Sequence, residues 1–336
     1  MDYIDTSAYR FEAVVDWISF QIETVEPTQF PHIQKRLTEQ IGSKPYVRPI
    51  DPDTGKRKHD EGGTTTVFHF KVYDHIANNA EKLLGLFADL SGEYPLQGAP
   101  LVTGIEIALD AYSRSGSDYA LQMAAQWMME HLSAPPVNVR QYDPSRRTKN
   151  KNVMFNQETR SLAINPELNF RTGNQRDDLS FQVYWKRTDK LDDEDSGRRG
   201  KELAQHLHRA RAEFTLVGDL LETEGIHTLD DLAVFDLGRL SRHLRFANLM
   251  TLDQATAGMD SLRATSLRSV WDQRAVCLAP GWMRRDTGSD EHRRHAQPAP
   301  RKHSRYTTPN KGMNRIVSDR FAQLGARYLA KKNNEN

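Results

Sequence analysis

Three stretches of the chain set ionisable or nucleophilic side chains on alternate residues, with apolar side chains between them. In Thr103 to Asp110, Glu106, Ala108 and Asp110 alternate with Ile105, Ile107 and Leu109. In Leu179 to Lys186, Gln182, Tyr184 and Lys186 alternate with Phe181, Val183 and Trp185. In Arg211 to Leu216, Arg211, Glu213 and Thr215 alternate with Ala212, Phe214 and Leu216. A period of two is that of a strand, whose successive side chains point to opposite faces. Set side by side in an antiparallel sheet, the three strands would offer an apolar side for helices to cover and a polar floor on the other side. Such a floor combines carboxylates, a phenol and cations, the groups needed to break and remake a phosphodiester. Glu106 and Glu213 are hard oxygen ligands suited to Mg²⁺ or Mn²⁺, which polarises a phosphate and neutralises developing charge. Tyr184 is the candidate nucleophile. A phenol with a reference pKa of about 10 needs a metal, Lys186 or Arg211 nearby to favour its ionised form.

The elements expected to position these residues alternate in type. Ala13 to Thr24 reads as a strand with Asp16, Ile18, Phe20 and Ile22 on one face, followed by a helix from about Pro27 to Ile41 capped by Thr28. A loop rich in Pro, Asp and Gly then runs through Gly63. Thr64 to Tyr73 is a second strand, Ile76 to Leu90 a helix, Leu101 to Tyr112 a third strand and Asp118 to Leu132 an amphipathic helix. Short strand-like runs at Asn152 to Phe155 and Ser161 to Ile164 precede the strands at Leu179 to Lys186 and Arg209 to Val217. Helical patterns resume from Leu229 to about Ala275. The fold class is therefore α+β: an antiparallel sheet with helices packed on one face, an open polar face carrying the site, a helical C-terminal region and a basic tail. The expected division is 1–228 for the site-bearing domain, 229–279 for a helical extension and 280–336 for the tail. Within the tail, 280–309 reads as a flexible linker and Gly312 to Lys332 as a short basic helix with Ile316, Val317, Phe321, Leu324 and Leu329 as its apolar side. Trp17, Phe68, Phe70 and Trp185 are expected in the core.

The bulk properties set bounds. With 38% apolar and 27% charged residues among 336, the chain can bury a substantial core. Its net charge of +1 hides an asymmetry, because 13 of the 46 Lys and Arg but only 5 of the 45 Asp and Glu follow Met283. The single cysteine, Cys277, cannot form an internal disulfide, and no Cys/His spacing of the zinc-finger kind occurs. There is no secretory pattern at the N-terminus and no run of about 18 apolar residues, so a cytoplasmic protein without a membrane partner is expected. The pair His206 and His208 has a spacing that metal sites use on strands, but it falls at a helix-to-strand junction and is set aside as a ligand pair.

At the same three strands the sequence resembles the replication initiation factor family of rolling-circle plasmids and filamentous phages. TGIEIALDAY, Thr103 to Tyr112, is similar to the family's acidic strand, with Gly104 where the family usually carries Arg. GNQRDDLSFQVYWKR, Gly173 to Arg187, is similar to its tyrosine block, and RAEFTL, Arg211 to Leu216, to its Arg-x-Glu-x-x-Leu strand. The resemblance spans roughly Asp16 to Leu221. It implies that Tyr184 is the DNA-linking nucleophile and that Glu106, Asp110 and Glu213 are metal-site carboxylates. Residues four apart on a regular strand lie about 13 Å apart, so Glu106 and Asp110 could share one ion only across a bend. The implied activity is Mg²⁺- or Mn²⁺-dependent nicking and joining of double-stranded origin DNA, with a host helicase and polymerase as partners and a homodimer among the expected assemblies. Two other readings fit the same residues: a DNA-binding regulator that does not cleave, and a conjugative relaxase.

Overall fold

In the computed structural model of the chain, residues 4–58, 63–134, 140–142, 169–173, 177–189, 201–249 and 307–330 are described. The sheet is built on β1 (Tyr9–Gln29), a strand of 21 residues. After it come α1 (Phe30–Ile41), β2 (Val47–Ile50), β3 (Thr64–Tyr73), α2 (Asp74–Ala77), α3 (Ala80–Glu93), β4 (Leu101–Ser113) and α4 (Asp118–His131). The chain continues through β5 (Arg140–Tyr142), β6 (Asn169–Thr172), β7 (Leu179–Lys186), the two-residue strands β8 (Thr188–Asp189) and β9 (Lys201–Glu202), and β10 (Arg209–Val217). It then forms α5 (Asp219–Glu224), α6 (Leu229–Val234), a 3-10 helix at Leu237–His243, β11 (Ala247–Leu249), β12 (Thr307–Pro309) and α7 (Lys311–Leu329).

Among the described residues eight strands form one sheet in the order β2-β3-β1-β4-β10-β7-β6-β5, and every neighbouring pair is antiparallel. The α+β architecture follows from the alternation in the sequence. Ile18, Phe20, Phe68, Phe70, Ile107, Leu109, Val183 and Phe214 are fully buried on one side. Helices α1, α3 and α4 bring Leu37, Leu83, Leu90, Trp127 and Met128 into the same core. Burial of such side chains contributes about 1.5–3 kcal/mol each, which is why the apolar face dictates where the helices sit.

Several local signals act as the residue types require. Asn79, Ser117 and Asn310 cap α3, α4 and α7 by accepting the amides of Lys82, Ala120 and Met313. Thr228 and Asp231 form a capping box on α6. The helix expected from Pro27 begins instead at Phe30, because β1 runs on to Gln29 and keeps Thr28 paired with Thr65. The helix expected over Ile76 to Leu90 is broken at Asn78 and Asn79. There the Asn78 amide leaves the helix to bond both the N–H and the C=O of Val15, at 2.8 Å each.

The expected loop before Gly63 contains β2, paired with β3. The runs at 152–155 and 161–164 lie outside the described residues, as do 250–275 of the expected helical region. Within 229–249 the chain is helical only to His243 and then forms β11. β11 pairs with β12, at the end of the stretch read as a linker. The last segment is helical: α7 buries Val317, Phe321 and Leu324, and the Phe321 ring stacks on Phe214 at 6.0 Å. No helix among the described residues is long and apolar enough to cross a membrane.

Candidate active site on the polar face of the sheet

Because paired residues in a sheet share a face, the register arranges the polar side in rows. One row runs Glu12, Asp110, Arg211, Tyr184 across β1, β4, β10 and β7. The next runs Val14, Ala108, Glu213, Gln182, and the one after it Trp17, Glu106, Thr215, Ser180. Glu106, Glu213 and Tyr184, taken from distant parts of the sequence, thus stand on adjacent rows and adjacent strands.

Asp16 joins them through a defect in the pairing. Val15 pairs with Ile107 and Trp17 with Glu106, so two steps along β1 match a single step along β4 and Asp16 is the extra residue of a β-bulge. Strict alternation would aim Asp16 into the core with Ile18 and Phe20. The bulge re-aims it to the polar face, where carboxylate oxygens of Asp16, Glu106 and Glu213 all lie within 4.8 Å of one another. Asp110 does not reach this cluster. It is 1% exposed and two rows from Glu106, where it accepts two hydrogen bonds from Arg211, Nε to Oδ1 at 2.6 Å and Nη2 to Oδ2 at 2.7 Å. Arg209 Nε is also 3.1 Å from Asp110. The third carboxylate of the cluster is Asp16, and Asp110 is the counter-ion of the arginine beside it.

Arg211 donates through Nη1 to Asp16 as well, tying the ion pair to the cluster. Thr215 donates to Glu106 at 2.6 Å, and the Tyr184 hydroxyl donates to Glu213 at 3.1 Å. Lys186, on the face of Tyr184, holds Asp189 at 2.8 Å and adds a cationic field at Asp16. Trp17 lies on this polar face rather than in the core, its indole bonded to Glu106 and the Lys71 ammonium 3.2 Å from its ring centre. His208 faces the helices instead. It is buried between Asp118 Oδ1 at 2.9 Å and the Leu203 carbonyl at 3.0 Å, where it ties β10 to α4.

The electrostatics follow from three carboxyls in one small volume. Burial, and then the charge of Glu106, push Glu213 well above the usual carboxylate range. Burial raises Glu106 too, against the pull of its Thr215 bond, while Asp16 is held low by Arg211 and Lys186 despite its burial. Burial and the Glu213 charge likewise raise the Tyr184 phenol far above its usual value, with Arg211 opposing. Without a further cation, the phenol is therefore kept as a neutral hydrogen-bond donor. The donor set of three carboxylate oxygens matches what a hard divalent ion such as Mg²⁺ or Mn²⁺ takes, and the raised carboxyls mark a site whose negative charge is not fully compensated.

Gly104 is explained by its surroundings. A Cβ there would come within 2.8 Å of Ser19 Oγ and 3.1 Å of both the Trp17 ring and Val217 Cγ1. The side chains that shape the floor beside Glu106 leave no room for another. Gly104→Ala is expected to cost roughly 1–3 kcal/mol through overpacking, measurable as a lower urea midpoint with an unchanged slope. Unaltered stability would mean that Ser19 and Trp17 can give way.

Tyr184, Glu106, Glu213, Arg211 and Lys186 were all legible as candidates from alternation. Asp16 was not, although a carboxylate at a position that alternation assigns to the core is itself the signal of a bulge. No protein-family model matches the chain, and no curated protein does.

Proposed function

We propose that the protein is a divalent-metal-dependent DNA nicking and joining enzyme in which Tyr184 becomes covalently linked to the 5′ side of the cut strand. The observation that carries this reading is the placing of the Tyr184 hydroxyl, 3.1 Å from Glu213, beside the three-carboxylate cluster. The resemblance to rolling-circle initiators bears on the same tyrosine, and on that reading the substrate is a double-stranded origin. Host helicase and polymerase would then extend the free 3′ end.

Asp16, Glu106 and Glu213 would hold Mg²⁺ or Mn²⁺, which when bound supplies positive charge to the phosphate and favours the phenolate. Glu213, which accepts the phenol's hydrogen bond, would take its proton as the Tyr184 oxygen attacks phosphorus. The P–O3′ bond breaks, the 3′ oxygen leaves and is protonated, and the strand remains as a phosphotyrosine ester. Bond energy is conserved in that ester, so attack by a 3′-hydroxyl reverses the step without a nucleotide cofactor. The direct test is incubation with supercoiled DNA that carries the origin, in the presence of Mn²⁺. Conversion to open circle, together with a protein–DNA adduct stable to denaturant, is expected. Salt-sensitive binding with no adduct under any divalent metal would instead select the non-cleaving regulator.

The ion can be tested without DNA. A carboxyl whose folded pKa is raised contributes its full stability below its unfolded pKa and loses it as pH rises through the folded value. Glu106 and Glu213 are raised, so the metal-free protein should lose stability from mildly acid to alkaline pH. Mn²⁺ should restore it most at the alkaline end, by about 2.7 kcal/mol at a hundred times its Kd. Glu213→Gln should raise the melting temperature of the metal-free protein and remove the response to Mn²⁺. A melting temperature indifferent to Mn²⁺ at both pH 5 and pH 8 would count against the ion site.

A further inference from the structure

Next to the row that carries Tyr184 lies a row of which the site described above draws only on Lys186, through its field at Asp16. Arg10 pairs with Tyr112, and Arg209 pairs with Lys186. Arg209 also follows directly on the Ala210 to Ala111 pair, which sets it opposite Tyr112. The sequence Arg10, Tyr112, Arg209, Lys186 therefore crosses four strands, one pleat of about 7 Å from the nucleophile. The Arg10 guanidinium lies 4.2 Å, and that of Arg209 5.9 Å, from the Tyr112 ring centre.

The row leads to an open edge. β3 pairs with β1 only from Trp17 onward, so among the described residues Tyr9 to Val15 have β4 on one side and no strand on the other. Along that edge a groove of about 220 Å³ lies between β1 and α7, lined by Arg10, Phe11, Glu12, Ala13, Arg320, Gln323 and Arg327. Glu12 is the one carboxylate among these lining residues. It is shared by Arg10 and Arg327, each at 3.0 Å. Among the described residues Arg320 reaches only the neutral Gln323, and its buried Nε has no hydrogen-bond acceptor. Asp110 is likewise shared by Arg209 and Arg211. In the groove three guanidiniums, those of Arg10, Arg320 and Arg327, face the single carboxylate of Glu12, whereas along the row Arg209 and Arg211 are matched by Asp110 and Asp16.

We infer that this row and the groove form a track for the backbone of a single DNA strand, running from Tyr184 across Arg209 and Arg10 into the groove at Arg320 and Arg327. The inference deepens the nicking reading and rests on it for the direction of the strand. Charge complementarity selects a polyanion. The aromatic ring set among the cations, with Arg10 55% exposed upon it, selects an unpaired strand, because only an unstacked base can lie on an aromatic or guanidinium plane.

The test is the salt dependence of affinity of the full chain for a fluorescent single-stranded oligonucleotide, measured in chelator so that no cleavage occurs. Each lost phosphate contact lowers the slope of log K against log salt by about 0.7 for a single strand. Arg10→Ala and Arg320→Ala should each lose about that much slope and several-fold in affinity. Lys35→Ala, which removes a cation 80% exposed on α1, should lose neither. Slopes equal to wild type, equal losses at Lys35, absence of binding, or a preference for duplex that the two variants leave unchanged would overturn the track. An adduct at Tyr184 with unchanged slopes would keep the nickase and reject the track, whereas the expected slope losses without any adduct would do the reverse.

Discussion

Replacing Tyr184 with phenylalanine is expected to abolish the covalent adduct and to lower Mn²⁺-dependent nicking by about 10⁴-fold or more, on the scale seen when a nucleophile is removed. The substitution deletes one oxygen and one hydrogen bond, the 3.1 Å donation to Glu213. Leaving that buried acceptor without its donor costs about 1–3 kcal/mol, a fraction of a domain's stability, so the fold and the response to Mn²⁺ should survive. That separation gives the experiment its force, since loss of chemistry with retained metal-dependent melting assigns Tyr184 to the reaction and not to the scaffold. Equal nicking by wild type and Tyr184→Phe would remove Tyr184 as the nucleophile, whatever the acids do. The ring's position makes the assignment testable in a second way. Burial and the neighbouring Glu213 hold the phenol neutral, so a divalent ion should shift its ultraviolet titration toward lower pH in the wild type but not in Glu213→Gln.

Arg211→Met should produce the largest change in stability, about 3–5 kcal/mol, because it strands a buried charge. Arg211 is 2% exposed and Asp110 1%, and the two share a bidentate pair at 2.6 and 2.7 Å. Among the described residues Arg209 is the one other cation paired with Asp110, at 3.1 Å, and its buried Nε makes no hydrogen bond there, so it does not replace two good bonds. Adding Asp110→Asn to Arg211→Met should recover part of the loss, since a neutral amide is cheaper to bury than a lone carboxylate. The double variant should therefore cost less than the two single variants added together. Urea unfolding measures all three, and a cost below about 1 kcal/mol for Arg211→Met would mean that water or a rearranged Arg209 satisfies Asp110. Since Arg211 also bonds Asp16, its loss should loosen the acidic cluster and weaken Mn²⁺ binding even where the protein still folds.

Asp110 and Asp16 illustrate how far local pattern reaches. Asp110 shares a face with Glu106 by simple alternation, and that much is correct. Sharing a face does not mean sharing a ligand, because β4 is regular from Gly104 to Ala111 against β10 and keeps the two carboxylates two rows apart. Asp16 carries the opposite lesson. Its alternation with Ile18 and Phe20 assigns it to the core, and only the mismatch in step between β1 and β4 turns it outward. Trp17 needs no bulge: it alternates with Ile18 and Phe20, which sets it on the polar face beside Glu106, and only its aromatic character suggested the core.

What the amino-acid order determined by itself is the content of each face. The period-two patterns of β4, β7 and β10 already separate the core residues from Glu106, Tyr184, Arg211 and Glu213, because a strand's geometry leaves side chains no third direction. Caps such as Asn79 and Ser117 are equally local, needing only an amide two or three residues away. The tertiary structure alone decided which strands are neighbours, in which register, and where the pairing slips. Those depend on long-range packing among residues a hundred or more positions apart, as Arg211 and Asp110 are, and no short window of sequence contains both partners. The acidic cluster is the product of both levels: alternation supplied Glu106 and Glu213, and a bulge that exists only when β1 is paired with β4 supplied Asp16.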